Sequence, residues 1–205
     1  MKVLLIDDHA LFRAGLRMLL TAIAPAAEIF EAGSVEAALA LAAGHQDLSV
    51  CLLDLTFRDG DGITAIHRIK QTVPGITIII VSGTIASASV HEAIDAGAMS
   101  FISKSDPPEE LRKGLHQALA GNVYVPSFAL RSLDAGESAQ PSLTPRQLDV
   151  LQRLCRGLPN KLICDELNLS ENTVKEHVTT LFRALGVRNR TQAVLKASQL
   201  GLRFR

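Results

Sequence analysis

Cysteine is scarce in this 205-residue chain, and the three present, Cys51, Cys155 and Cys164, are odd in number with no Cys-x-x-Cys spacing. That excludes a disulfide framework and leaves small core residues as the reading. Long hydrophobic runs are missing too. The longest apolar stretches are too short to span a bilayer, and the N-terminus enters a strand-like run with no basic and apolar leader pattern. The expectation is a cytoplasmic protein with no membrane partner. Net charge is absent as well, with 21 Lys and Arg against 21 Asp and Glu. The zero hides an asymmetry: residues 1–120 carry 9 basic against 14 acidic side chains, and residues 121–205 carry 12 against 7. An acidic half joined to a basic half implies that only the second meets a polyanion.

What the chain does have is apolar runs that stop at a charge. Cys51-Leu-Leu-Asp54 reads as a buried strand ending in a carboxylate, Lys2-Val-Leu-Leu-Ile-Asp7-Asp8 as another, and Ser100-Phe-Ile-Ser-Lys104 as a third that ends in a cation. The ends of parallel strands are where open α/β sheets bind ligands. Acids crowded there repel one another unless a cation joins them. Mg²⁺ suits such a site because it prefers hard oxygen ligands and bridges carboxylates to phosphate. Asp54 is then placed to attack an activated phosphoryl group, and aspartyl phosphates are a known class of covalent intermediate.

The ordered set Asp7-Asp8, Asp54, Ser82 and Lys104 resembles the receiver domain of bacterial response regulators over about residues 1–120. The resemblance implies Asp54 as phosphoacceptor and Mg²⁺ on Asp8, Asp54 and the Thr56 backbone carbonyl, with Asp7 assisting through water. It further implies Ser82 and Lys104 on the phosphoryl oxygens and Phe101 as a switch aromatic. Phe57-Arg58 stands where receivers usually carry Met-Pro. Ser105 follows Lys104, with the first proline at 107, so a cis Lys-Pro bond is excluded.

In chain order, strands are expected over 2–6, 28–32, 50–53, 76–81 and around 101. Helices are expected over 10–23, where Leu11, Leu16, Leu19 and Leu20 form the apolar side and Asp8 is a candidate cap, and over 34–43, 63–71, 86–95 and 108–120. Residues 57–62 read as a loop. Five strand and helix pairs in alternation predict an α/β doubly wound five-stranded parallel sheet. Residues 121–142 read as a linker, with 123–130 extending the last helix or packing on it.

Residues 143–205 read as a small all-α domain of four helices. Thr144-Pro145 opens the first, with Leu148, Leu151 and Leu154 inward, and Pro159 to Leu167, a turn, and a Ser170-capped helix give a helix-turn-helix pattern. Leu143-Thr-Pro-Arg-Gln, Asn160-Lys161, Thr173-Val174-Lys175, His177 and Val187-Arg-Asn-Arg-Thr-Gln-Ala-Val194 make this stretch similar to the LuxR-type DNA-binding domain. By that resemblance Lys175, Glu176 and Thr179 face base edges in the major groove, and Lys161, Thr173, His177, Arg188 and Asn189 reach phosphates. A last helix, Thr191 to Leu200, offers a small-residue patch at which the family dimerises on DNA. Gln147 and Leu162 stand where the family commonly has Glu, and Pro159 replaces a Ser or Thr cap.

The combined resemblance is to NarL/LuxR-type two-component response regulators. It implies a cognate histidine kinase, double-stranded DNA and a second copy of the chain as partners, with transcription regulation rather than enzymatic turnover as the role. One alternative is a DNA-binding regulator whose receiver is a phosphorylation-independent protein-interaction module. A phosphohydrolase using Asp54 is disfavoured, because a general acid two residues on is replaced by Thr56.

Overall fold

A computed structural model describes residues 1–57, 60–83, 86–125, 143–200 and 202. The chain runs β1 (Lys2–Ile6), α1 (Ala10–Ile23), β2 (Glu28–Ala32), α2 (Val35–Gly44) and β3 (Val50–Leu53). It continues through β4 (Thr56–Phe57), β5 (Gly60–Asp61), α3 (Gly62–Thr72), β6 (Thr77–Ser82), α4 (Ser87–Asp95), β7 (Ser100–Ser103) and α5 (Pro108–Leu119). Four further helices follow: α6 (Pro145–Cys155), α7 (Asn160–Leu167), α8 (Glu171–Leu185) and α9 (Arg190–Gln199).

Five strands form one parallel sheet in the order β2-β1-β3-β6-β7. Its strands are near-continuous apolar runs because both faces are covered. Leu4, Ile6, Cys51, Leu53, Ile78, Ile80 and Phe101 point to the face under α2, α3 and α4. Val3, Leu5, Val50, Leu52, Ile79, Val81 and Ile102 point to the face under α1 and α5. Phe101 is fully buried, which is worth about 1.5–3 kcal/mol in apolar transfer. The register pairs Ile6 with Leu53, so the residues that follow them emerge side by side. The strand order also reverses between β1 and β3, making this the topological switch point.

Several local expectations change. Leu11 is 89% exposed while Leu16 and Leu20 are buried, because the inward stripe of α1 is set by Leu16 and Leu20, with Phe12 half-buried beside them. His9, not Asp8, is the N-cap of α1, without a side-chain cap bond. In place of a simple 57–62 loop, β4 and β5 pair antiparallel. Gly62 is forced there, since a Cβ would lie 2.5 Å from Leu55 Cα. Arg58 and residues 126–142, on which the linker expectation mostly falls, lie outside the described residues. Residues 122–125 do not extend α5 but pack on it, the other alternative, with the Tyr124 ring over Gly114. Tyr124 accepts a backbone bond from Phe101 N–H (2.8 Å) and Ser100 Oγ donates to Asn122 O (3.2 Å), so this segment closes the β7 edge. In the first helix of the C-terminal region Val150, Leu151 and Leu154 are buried and Leu148 is only partly so. The cysteines are free, and burial pushes the Cys155 thiol up to about 11 and Cys51 up as well.

Among the described residues the two halves touch at two places. At one, Asn189 Nδ2 donates to Ile94 O (2.8 Å), Thr191 Oγ1 to Ala98 O (3.0 Å) and Gln192 Nε2 to Asp95 Oδ1 (2.5 Å). Leu195 meanwhile joins the apolar cluster of the sheet's α4 side. The patch expected to await a second copy is therefore partly covered by this chain's own N-terminal half.

At the other place Gly157, at φ +78°, lies against Gly121, at φ +86°. A Cβ at 157 would sit 2.7 Å from Asn122 Oδ1 and 2.8 Å from Gly121 O, both too close. Gly157→Ala therefore adds a clash to a left-handed backbone cost of about 1–2 kcal/mol. The expected result is separation of the halves, read as a larger radius of gyration by small-angle scattering with far-ultraviolet helicity retained. An unchanged radius would show that this seam does not hold them together.

Candidate functional site

Asp7 and Asp54 follow the last residues of β1 and β3 and are buried to within 1–2% exposure. Each is fixed through its backbone: Asp7 N–H donates to Ala32 O (3.2 Å) and Asp54 N–H to Ile6 O (3.0 Å). Lys104, just past β7, answers both charges, with Nζ 2.5 Å from Asp54 Oδ2 and 2.6 Å from Asp7 Oδ2. The same ammonium lies 4.5 Å from the centre of the Phe12 ring, a cation–π contact. Phe12 was not singled out in the sequence because an aromatic at helical spacing reads as core.

The remaining members converge on the same edge. Thr56 N–H donates to Asp54 Oδ1 (3.1 Å), which sets the backbone of residue 56 beside the carboxyl. Ser82, at the end of β6, is fully buried, its hydroxyl lies 3.5 Å from Thr56 Oγ1, and its carbonyl accepts from Lys104 N–H (2.9 Å). A cleft of about 470 Å³ opens over Asp54, Thr56 and Lys104, walled by His9, Leu11, Phe12 and Gly83. The exposure of Leu11 is thus exposure at the rim of the cleft. Phe101 lies inside the sheet core rather than in this cleft.

One ligand atom from each of Asp7, Asp8, His9 and Asp54 lies within 4.8 Å of the others. A divalent cation with metal–oxygen distances of about 2.0–2.1 Å spans roughly 4.2 Å between opposite ligands. The oxygen-rich donor set therefore fits a divalent ion. In the sequence His9 has no metal-ligand spacing and reads only as the residue that follows the acid pair.

In the second half, Val150, Leu151, Leu154, Ile163, Val174, Leu181 and Leu185 build a separate core under α6 to α9. α7 ends on Asn168 in the left-handed region, φ +51°, and Ser170 caps α8 by accepting from Thr173 N–H (3.2 Å), which completes a tight helix-turn-helix. Gln147 serves a capping box with Thr144 in place of the family's Glu, and Pro159 caps α7 without a side-chain bond.

Lys175, Glu176 and Thr179 lie exposed along α8, as do Lys161 and Arg188 elsewhere; Thr173 and His177 are half-buried. Asn189 is engaged: besides Ile94, it caps α9 by accepting from Gln192 N–H (2.9 Å). Other basic residues are spent within the fold. Arg156 makes two bonds to Glu166 (3.0 and 3.1 Å), Arg153 an ion pair with the same carboxylate (3.2 Å), and Arg190 donates to the Leu158 and Leu154 carbonyls.

Known proteins place both regions. Residues 3–116 match the response regulator receiver domain family, and residues 141–197 match the luxR family of bacterial regulatory proteins. The chain is similar to the glycerol metabolism activator of Pseudomonas putida, 36% identical over 97% of this chain and 96% of that protein. It is also similar to the nitrate/nitrite response regulator NarP of Escherichia coli, 36% identical over 95% and 93% respectively. Among solved structures, the RcsB response regulator of Salmonella typhimurium aligns with TM-score 0.57 and 27% identity over 97% of this chain and 98% of that one. A structure of two RcsB dimers bound to two parallel DNAs aligns at 0.55 and 26%, over 98% of each. The chain belongs to the NarL/LuxR-type response regulators, which join a receiver to a LuxR-type DNA-binding domain and regulate transcription. Among the described residues no helix is long and apolar enough to cross a membrane.

Lys175 Nζ pairs with Glu171 Oε1 at 2.8 Å, one turn apart on α8. That hydrogen bond holds the Lys175 amine above and the Glu171 carboxyl below its ordinary range, so both are charged at neutral pH. Glu171→Gln releases the amine and removes an anion from the exposed N-terminal end of α8. DNA affinity is expected to tighten roughly two- to fivefold in low salt, the scale of an exposed pair, measured by fluorescence anisotropy on a labelled duplex. Weaker binding would show that Glu171 positions Lys175 rather than competing for it.

Proposed function

We propose that residues 1–120 receive a phosphoryl group on Asp54 from a histidine kinase and that residues 143–205, tethered by residues 121–142, bind DNA in response. The observation that carries this reading is the partly buried Lys104 ammonium spanning the buried Asp7 and Asp54 on the edge that carries the buried Ser82. The phosphorus–nitrogen bond of the donor's phosphohistidine breaks as an Asp54 oxygen–phosphorus bond forms. Mg²⁺, on Asp8, Asp54 and the Thr56 carbonyl with Asp7 acting through water, would supply charge neutralisation for the incoming phosphoryl oxygens. Lys104 moves from carboxylate to phosphoryl oxygen, and Ser82 donates its hydroxyl to another. Phe101, on β7 opposite Ile80 of β6, is the residue whose packing follows that movement.

The added charge of about −1.5 to −2 acts on a closed arrangement in which α9 is pinned to the end of α4 and the turn after it. Shifting such a two-state equilibrium from 1:99 to 99:1 requires about 5.5 kcal/mol of differential stabilisation. Release of α9 lets two copies pair on DNA, with Lys175, Glu176 and Thr179 at base edges and Lys161, Thr173, His177 and Arg188 at phosphates. Asn189 joins them only when it leaves Ile94. The setting is the cytoplasm, where kinase and DNA are both within reach.

Incubation with Mg²⁺ and acetyl phosphate is expected to add one phosphoryl group to the intact mass, and Asp54→Asn is expected to abolish it. No adduct on the wild-type chain would favour the phosphorylation-independent module instead. Lys175→Ala is expected to weaken specific DNA binding roughly tenfold or more, the scale of one base contact. Affinity equal to wild type in an electrophoretic mobility assay would remove α8 from the groove.

A further inference from the structure

A second cleft opens between the two halves and shares no lining residue with the one over Asp54. Its volume is about 420 Å³, within the range of small-molecule sites, about 300–1,000 Å³. One wall is α4, with His91, Ile94 and Asp95; the other is the α8–α9 turn and α9, with Val187, Arg188, Gln192 and Lys196. Gln192 fixes the two walls relative to each other. Its Nε2 donates to Asp95 Oδ1 (2.5 Å), its Oε1 accepts from Arg188 N–H (2.6 Å), and its own N–H donates to Asn189 Oδ1 (2.9 Å). The backbone that carries the Arg188 guanidinium is therefore held, and Asp95, the one carboxylate among the described residues of the walls, is already engaged.

The remaining charge is positive. Arg188 and Lys196 both line the cleft, and the Arg188 guanidinium makes no hydrogen bond or ion pair among the described residues, unlike Arg153, Arg156 and Arg190 of the same half. On the opposite wall His91 has a buried Nε2 with no hydrogen-bond partner among the described residues. Buried polar atoms are nearly always partnered, and one that is not marks a place where a ligand or water supplies the bond. A planar guanidinium grips carboxylate or phosphate oxygens through paired N–H donors. Ile94 and Val187 add apolar surface in the same cleft.

We infer that this cleft is an effector site for a small organic oxyanion, a phosphate monoester or a carboxylate with a compact apolar body, held between Arg188 and Lys196 of one half and His91 of the other. Its walls come from both halves, so the site is complete only in the closed chain, and its ligand stabilises that state by as much as it prefers it. The ligand also occupies Arg188, which the function proposed above assigns to a DNA phosphate, and so opposes DNA binding. The site stands on its own geometry, whereas its effect on DNA rests on that reading.

An amide-resolved NMR titration of the full chain, without Mg²⁺ and at fixed ionic strength, tests it with phenyl phosphate, benzoate, inorganic phosphate and benzyl alcohol as probes. Phenyl phosphate, benzoate or both are expected to shift the amides of residues 91–95 and 186–199 to saturation, and the tighter of the two identifies the oxyanion. Benzyl alcohol, which lacks the charge, and inorganic phosphate, which lacks the apolar body, are expected to bind at least roughly fivefold more weakly. Lys196→Gln and His91→Phe are each expected to weaken the favoured probe roughly fivefold or more, with the rest of the amide spectrum retained. The site is overturned by the absence of saturable shifts with both organic anions, by shifts scattered over the surface, or by equal affinities for all four probes. Full affinity in either variant overturns the clamp between the halves. Fluorescence anisotropy on a labelled duplex reads the coupling: a saturating probe is expected to weaken DNA binding by wild type roughly fivefold or more. Saturation of the cleft with unchanged DNA affinity overturns the opposition and leaves the site standing. A chain that binds no duplex even without the probe removes the function proposed above, and the titration still decides the site.

Discussion

The Lys104 ammonium held between Asp7 and Asp54 is the contact on which the N-terminal half is arranged. Two carboxylates at 1–2% exposure are costly to bury, and a buried ion pair often returns little net stability because desolvation offsets the attraction. The sheet pays this cost at its switch point, where parallel register sets residues 7 and 54 side by side and β7, the edge strand two places from β3, delivers the lysine. Such a cluster is better explained by what it can receive than by what it holds together. On the proposed function, its charges converge on a point where a cation takes the lysine's place on the carboxylates and a phosphoryl group takes the carboxylates' place on the lysine.

That point is tied to the other half through short connections. Lys104 N–H bonds the Ser82 carbonyl, so the lysine and the hydroxyl are fixed relative to each other. Ser82 ends β6; α4 comes next in the chain, and its last turn carries Ile94 and Asp95 and the turn after it Ala98, the residues that bond Asn189, Gln192 and Thr191. An adjustment at Ser82 is thus one helix away from the N-terminus of α9. The closure of the β7 edge by residues 122–125 adds a second tie, since the segment leading to the DNA-binding half begins as part of the sheet's own edge.

The sheet was legible in the sequence because a doubly covered parallel strand must be apolar on both faces, and each such run here ends in the charge that matters. Helix caps at Thr144 and Ser170 were legible because each is a local rule with a local partner. What escaped was anything that depends on a distant neighbour. Leu11 fits a helical stripe as well as Leu16 does, and only packing decides that Leu11 lines a cleft instead. His9 and Phe12 carry no spacing signal of their own. The basic character of residues 121–205 overstated what is available to DNA, since Arg153, Arg156 and Arg190 satisfy Glu166 and helix-end carbonyls. Asn189 read as a phosphate contact, and the receiver's backbone holds it instead. The Gly121–Gly157 approach joins residues far apart in the chain, and each glycine alone reads as an ordinary helix C-cap.

The two surfaces of the DNA-binding half differ in how they are treated. The N-terminal part of α8, with Lys175, Glu176 and Thr179, faces solvent, while α9 has Ala193 and Ala197 in its own core and Leu195 in the receiver's. A helix buried on both sides cannot meet a second copy through the same residues. On the proposed function, the closed chain can therefore touch one half-site but does not pair through α9. Two linked half-site contacts gain effective concentrations that raise overall affinity by about 10²–10⁴ with no new base contact, and this gain is what the closed form lacks. Control by pairing rather than by hiding the reading helix fits a small receiver rearrangement, because freeing α9 breaks a few hydrogen bonds and one apolar contact without remodelling α8. On that proposed function, the discrimination between DNA sequences stays constant in both states and only the strength of occupancy changes.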